Sequence, residues 1–422
     1  MSSLEIYSDT KFVGTLADQR GRQLSIEFFV RIDNAGELHL RFESISEPGI
    51  AFELVAHNFG ADDLTLYLHL MGTSDTGEFS SPDFYLTGKR SDGARSNPML
   101  TLAGRCMSAR ITRKSERSEL RPAAVAFYTN GFKTFTALRT ENEHEKLRMF
   151  GHQFGEKHDP PTAGQVVLVS KLEVPSEGWF DGAVNSLRHV ARVMSLALDV
   201  YIEPRVILEQ YPDVDVFSVD AFGPSPQPHV APFSFVQLPS IFEHAFAMTR
   251  DERSAFESYD LPIRWLVAPS HYDEARHIGA MTALEAILSR VSGGVLLGKA
   301  AFARLRRKLA AVINEEGLSD SLVDSMCRKL PELNRQALGD KLKIYLMEHD
   351  VRVDDFPMDV FGSIIPARNE VVHSGIGRDR HEDITPYMYV ARALVTRMIL
   401  RAANYRGPLR WPNGDGFTQV NL

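Results

Sequence analysis

Polar and apolar residues alternate through much of the first half of the chain. Leu24, Ile26, Phe28, Val30 and Ile32 stand at every second position among mostly polar neighbours. After Asp33-Asn34-Ala35-Gly36 the alternation resumes at Leu38, Leu40 and Phe42. Successive strand side chains point to opposite faces, so two such runs around a short Asn/Gly loop predict a hairpin with one wet face. Leu64, Leu66, Leu68 and Leu70 repeat the pattern, and strand-like pieces follow near residues 99–113, 123–129 and 165–174. Gly, Asp and Ser separate them, as in an antiparallel sheet or sandwich. His144, His152 and His158 sit in a polar stretch between these pieces. Their intervals of eight and six match no compact metal-ligand spacing, so the stretch reads as a solvated loop.

Past Pro160-Pro161 the period changes. Val184, Leu187, Ala191, Met194 and Leu198 are spaced by three, four, three and four, which is the buried stripe of one helix. With the preceding strand-like QVVLVSKLEV, residues 161–222 read as a small α/β unit. Pro224, Pro226, Pro228, Pro232 and Pro239 then rule out helix and disfavour strand, predicting a semi-rigid linker over 223–240. Beyond it helix signals dominate. Ser270 and Asp273 form a capping-box variant ahead of a stripe at Ile278, Met281, Leu284, Leu288 and Val291. Further helices are expected at 299–314, 319–330 and 332–348. Thr385 as N-cap with Pro386 behind it opens a long last helix with Val390, Leu394, Val395, Met398 and Ile399 inward, ended by Gly407-Pro408. The expected fold is α+β and multidomain: a β-rich domain (1–160), the small α/β unit (161–222), the linker, and a helical domain (241–422).

Composition narrows the function classes. The 422 residues are 44% apolar and 24% charged, proportions of folded rather than disordered or fibrous protein. No apolar run nears the roughly 18–20 residues that span a bilayer, and the N-terminus lacks an apolar leader, so a cytoplasmic protein without a membrane partner is expected. Cys106 and Cys327, 221 positions apart, make no disulfide or metal framework. Residues 241–422 carry 24 Lys+Arg and 24 Asp+Glu, leaving 23 against 31 in residues 1–240, where the whole net charge of −8 resides. A nucleic-acid role must therefore rest on a local patch rather than on a bulk basic field.

One such patch is ARLRRKLA (303–310). Arg304, Arg307 and Lys308 fall on one helix face, either as a solvated surface or as phosphate contacts for a substrate. Gly293-Gly294 and Gly298-Lys299 lack the spacing of a phosphate loop and read as a connection between helices. Glu285 lies between Met281 and Leu288 on the apolar stripe, where a carboxylate either stands at the stripe's exposed edge or orients an active-site arginine. The segment ARNEVVHSGIG (367–377) sets Arg368 and Asn369 ahead of His373. Histidine transfers protons near neutral pH, and a guanidinium grips two phosphate oxygens. Asn369 can hydrogen-bond the phosphate or hold the histidine. On one helix the five-residue offset turns about 140°, so either the helix starts or bends within the motif or the site is shared between two chains.

An Arg, a polar residue and a His at this spacing near the final helices resemble the HEPN superfamily. Together with a β-rich first half, the chain looks most like the ApeA-like HEPN proteins of bacterial anti-phage defence. The motif agreement covers residues 368–375, and no motif is matched in residues 1–222. The resemblance implies an all-α bundle, a homodimer, which would allow the composite active site left open by the helix geometry, and cleavage of RNA without metal or other cofactor. It also implies abortive-infection defence against phage, with a phage-derived trigger and the N-terminal module as sensor or regulator. Arg368, Asn369 and His373 would then be catalytic, with Arg304, Arg307 and Lys308 as candidate substrate contacts and Glu285 as a candidate for orienting an active-site arginine. A rival reading makes the helical bundle a non-catalytic dimerisation or binding module with a ligand-binding β domain.

Overall fold

A computed structural model describes the chain outside residues 1–5, 44, 46–66, 93–98, 116–120, 130–131, 133–135, 152–163, 221–230, 271, 292–295, 375–382 and 414–415. Two units emerge, Met1–Thr249 and Arg250–Leu422. The architecture is α+β: a large antiparallel sheet in the first unit and a helical assembly in the second.

The strands of the first unit are β1 (Tyr7–Ala17), β2 (Gln23–Ile32), β3 (Leu38–Phe42), β4 (Leu68–Thr73), β5 (Gly77–Asp92), β6 (Met99–Cys106), β7 (Ser108–Lys114), β8 (Ala124–Thr129), β9 (Leu138–Glu141), β10 (Glu145–Phe150), β11 (Gly164–Ser170), β12 (Pro204–Gln210) and β13 (Val214–Asp220). They share one sheet in the order β3-β2-β1-β4-β5-β7-β13-β12-β8-β11-β10-β9, with β6 on β5. The hairpin expected over 24–42 is present, with Phe28 opposite Phe42 and Ile32 opposite Leu38. Its turn is set by Asp33, whose Oδ1 accepts from the N–H groups of Ala35 and Glu37, both at 2.9 Å. Gly36 supplies the positive φ of 78° that the turn needs.

β5 pairs with β7 through Gly77–Ser80 and with β6 through Phe84–Asp92. Beyond β3, the Ile45 N–H donates to Leu100 O at 2.8 Å and the Leu100 N–H to Ile45 O at 3.1 Å. That bridge ties β6 back toward β3, so β1–β6 wrap round a common interior. Phe12, Phe28, Phe42, Phe79 and Phe84 fill it, with Phe28 on Phe79 and Phe42 on Phe84 edge to face at 5.3 and 5.4 Å. Gly72 has no room for a side chain there, because a Cβ would stand 2.8 Å from the Phe28 ring.

Three expectations change in this unit. Residues 141–150, read as part of a solvated loop, belong to the β9–β10 pair, with Leu147 and Met149 buried between exposed neighbours. Two inward residues in a short strand leave too little periodicity to register. His144 lies in the turn, while His152 and His158 lie outside the described residues. β11–β13, read as a separate small unit, complete the same sheet, β12 against β8 and β13 against β7. Helix α1 (Trp179–Leu198) covers β8 and β11, and α2 (Leu238–Ala247) packs on α1 and β9 through Ile241, Phe242 and Ala245. Residues 241–249, read as the start of the helical domain, therefore belong to the first unit. Residues 221–230 of the expected linker lie outside the described residues.

The second unit holds α3 (Arg250–Phe256), α4 (Asp260–Leu266), α5 (Asp273–Leu288), α6 (Lys299–Glu315), α7 (Asp320–Lys329), α8 (Leu338–Glu348), α9 (Met358–Ser374) and α10 (Thr385–Ala402). α5 sits at the centre, touched by α4, α8, α9 and α10. Its Met281, Leu284 and Leu288 are buried as the stripe predicts, and Ala280, Ala283 and Ile287 are buried too. Enclosure on several sides follows from small residues that let neighbouring backbones approach. The capping box is not formed: Tyr272 is the N-cap, and Ser270 Oγ accepts from the Tyr272 N–H at 3.2 Å. α10 begins with Ile384 as N-cap, one residue before the expected Thr385, and Asn404 at φ 58° follows its end, ahead of Gly407-Pro408. A ribbon, β14 (Pro408–Asn413) with β15 (Gly416–Asn421), adds strand to a region expected to be helical throughout. Among the described residues no helix is long and apolar enough to cross a membrane.

Candidate functional site

Arg368, Asn369 and His373 all lie on α9, which runs unbroken from Met358 to Ser374. Ile364 and Val371, seven residues apart, are its buried face. Pro366 interrupts the ladder without ending the helix: it has no N–H to give the Gly362 carbonyl four residues back. The helix neither starts within the motif nor ends before His373. Arg368 and His373 are thus about 140° apart around one axis. The His373 side chain lies outside the described residues.

Glu285 and Arg368 are 83 positions apart in sequence, and the fold brings them together across α5 and α9. Glu285 Oε1 accepts from Arg368 Nη2 at 3.0 Å. Asn369 Oδ1 accepts from Arg368 Nη1 at 3.2 Å. The side chains of Arg368 and Glu285 are 30% and 41% exposed, so the ion pair contributes about 0–1 kcal/mol to stability. Its consequence is orientation. A guanidinium has five N–H donors, and these two contacts leave three for an anion arriving from solvent.

A second tie joins the same helices from below. His277 on α5 is fully buried, and its Nε2 donates to the Ile364 carbonyl at 3.2 Å. A carbonyl only accepts, which assigns the proton to Nε2. Burial pushes the imidazole down to about 4, and hydrogen bonds with the backbone at Ile364 and Tyr387 offset only part of that. A folded-state value below the unfolded one near 6.5 means that the unfolded chain takes up the proton first as pH falls. The neutral ring's full contribution is present above about pH 6.5 and is lost as pH falls toward 4, a change on the order of 3 kcal/mol. His277→Gln keeps an N–H donor without titrating, and urea unfolding at pH 7 and pH 4 should show a shallower loss than in the wild type. Equal losses in both proteins would assign the acid sensitivity elsewhere.

The other sequence candidates stand apart from this pair. Arg304, Arg307 and Lys308 are exposed on α6, with no carboxylate partner among the described residues. Asp33, Glu37 and His39, which the sequence did not flag, cluster at the β2–β3 turn. Protein groups already engage them: Asp33 Oδ2 meets His39 Nε2 at 2.7 Å, and Glu37 pairs with Arg205 of β12 at 3.5 Å. Burial pushes the Cys106 thiol up to about 12, so it is no thiolate nucleophile at neutral pH. Sequence reasoning also missed His277, which stands one position before the Ile278 that opens the expected apolar stripe. Comparison with known protein families, curated proteins and solved structures returns no match.

Proposed function

We propose that this chain is an endoribonuclease that cuts RNA without a metal, as a cytoplasmic homodimer in anti-phage defence. The observation that carries the reading is Arg368, aimed by Glu285 and Asn369 with donors left open, on the same helix as His373. Cleavage without a metal uses the RNA's own 2′-hydroxyl, whose proximity to the phosphate replaces an activated water. A histidine removes the hydroxyl proton, an acid protonates the departing 5′-oxygen, and a guanidinium neutralises the phosphorane charge. The unbroken α9 favours a composite site, because positions 368 and 373 stand about 140° apart around one helix axis. Phage defence comes from the resemblance alone, and it assigns the acidic β-rich unit to sensing a phage-derived trigger or restraining the nuclease.

Purified protein incubated with RNA in excess EDTA should cut it, spare DNA, and leave a 2′,3′-cyclic phosphate and a 5′-hydroxyl. A 2′-deoxy nucleotide on the 5′ side of a cut should abolish cutting at that bond. A requirement for Mg²⁺, or a 5′-phosphate on the product, would refute the mechanism and its residues.

A further inference from the structure

Helix α6 buries none of its residues, yet it borders a groove of about 650 Å³. Leu297, Lys299, Phe302, Arg306, Arg307 and Asn334 line the groove, whose wall has no acidic residue among the described residues. Ala303 and Ala310, two helical turns apart, give it a floor without long side chains. One wall is fixed by an amide clasp. Asn334 Oδ1 accepts from the Leu297 N–H at 2.7 Å, its Nδ2 donates to Leu297 O at 2.9 Å, and the Leu296 N–H donates to Asn334 O at 2.9 Å. Of the basic trio read from the sequence only Arg307 belongs to this groove; Lys299 and Arg306 join it instead. None of the three has a carboxylate partner among the described residues. Three uncompensated cations, with Phe302 and Leu297 also in the lining, match an anion that carries a planar apolar part.

We infer that this groove holds one unpaired nucleotide of a single-stranded RNA, its phosphates on Arg306, Arg307 and Lys299 and its base against Phe302. The inference rests on the ribonuclease reading and adds a substrate preference to it. A base buried in a duplex has no free face, so a stacking floor selects single strands, whereas phosphate contacts alone do not discriminate. The size of the groove is ordinary for a small-ligand site.

The test measures binding of the full chain to a fluorescent single-stranded oligonucleotide whose 2′-hydroxyls are all methylated, so that cleavage does not intervene. Arg306→Ala with Arg307→Ala should weaken binding about 10-fold or more and lower the salt dependence by about two phosphate contacts. Phe302→Leu should weaken single-strand binding about 5-fold or more and leave duplex binding unchanged. Arg328→Ala with Lys329→Ala, an equal charge change on α7, should stay within about 2-fold of wild type. Thermal melts report folding, and the exposed arginine pair carries the test if Phe302→Leu is unstable. Equal losses from the α6 and α7 pairs, unchanged single-strand preference in Phe302→Leu, or full displacement by micromolar AMP would overturn the assignment. Unmethylated RNA separates the two ideas. Cutting that ignores the groove variants refutes the groove alone, and groove-dependent binding without cutting refutes the nuclease reading alone.

Discussion

Arg368→Ala, His373→Ala and the double variant should each cut RNA about 1000-fold more slowly than wild type and reach the same floor. Groups that act on one transition state are not independent, so the second substitution removes little that the first has left. Arg368→Lys should recover little, since an ammonium lacks the planar fork that grips two phosphate oxygens. Unfolding free energy should change by less than about 1 kcal/mol in Arg368→Ala, because the bond to Glu285 lies at the surface. The unbroken α9 adds a test that point variants alone do not provide. If the site combines Arg368 of one copy with His373 of the other, mixing the two single variants restores an intact site. About a quarter of wild-type activity is expected, since half of randomly paired dimers are mixed and each has one complete site of two. Additive losses, or no recovery on mixing, would refute the composite site.

The strands and helices with one wet face were legible because burial on a single side leaves a period in the sequence. The β2–β3 hairpin and the first half of α1 are of that kind. β9 and β10 were not, since two inward residues in a short strand do not establish a period. Nor was the home of α2, because an apolar stripe says that a helix packs and not on which unit. The site followed the same divide. Arg368, Asn369 and His373 stand in one short stretch, and Glu285 on the apolar stripe read either as a carboxylate at the exposed edge or as the partner of an arginine. Which partner depended on how α5 crosses α9, and local sequence holds no record of that. The α6 groove was half visible. The basic run showed, but the wall built by Asn334 comes from a segment 37 residues after Leu297.

The largest stability effect should come from a charge that the sequence hid. Arg397 belongs to α10 among Val395, Met398 and Ile399, and it is as buried as they are. Its guanidinium makes two parallel bonds to Asp355, Nη1 to Oδ1 and Nη2 to Oδ2, each at 2.6 Å. Nη1 also donates to Arg352 O at 2.8 Å, and the group lies 4.1 Å from the centroid of the Phe356 ring. Removing the acid from such a pair strands a cation out of water, which costs about 3–5 kcal/mol. Asp355 is 24% exposed, so water partly replaces the lost carboxylate and the expected loss for Asp355→Ala is about 3 kcal/mol. Replacing both partners, as Arg397→Met with Asp355→Ala, removes the charge along with its counter-charge and should be milder than Asp355→Ala alone, giving a coupling term of about 1–3 kcal/mol in urea unfolding. Asp355 lies three residues before α9, so this pair also anchors the segment that leads to Arg368. RNA cleavage by Asp355→Ala should therefore fall at temperatures where wild type is still fully active, and recover on cooling. A loss below about 1 kcal/mol would show that water reaches Arg397 freely and that the pair is a surface link rather than the anchor of this end of α9.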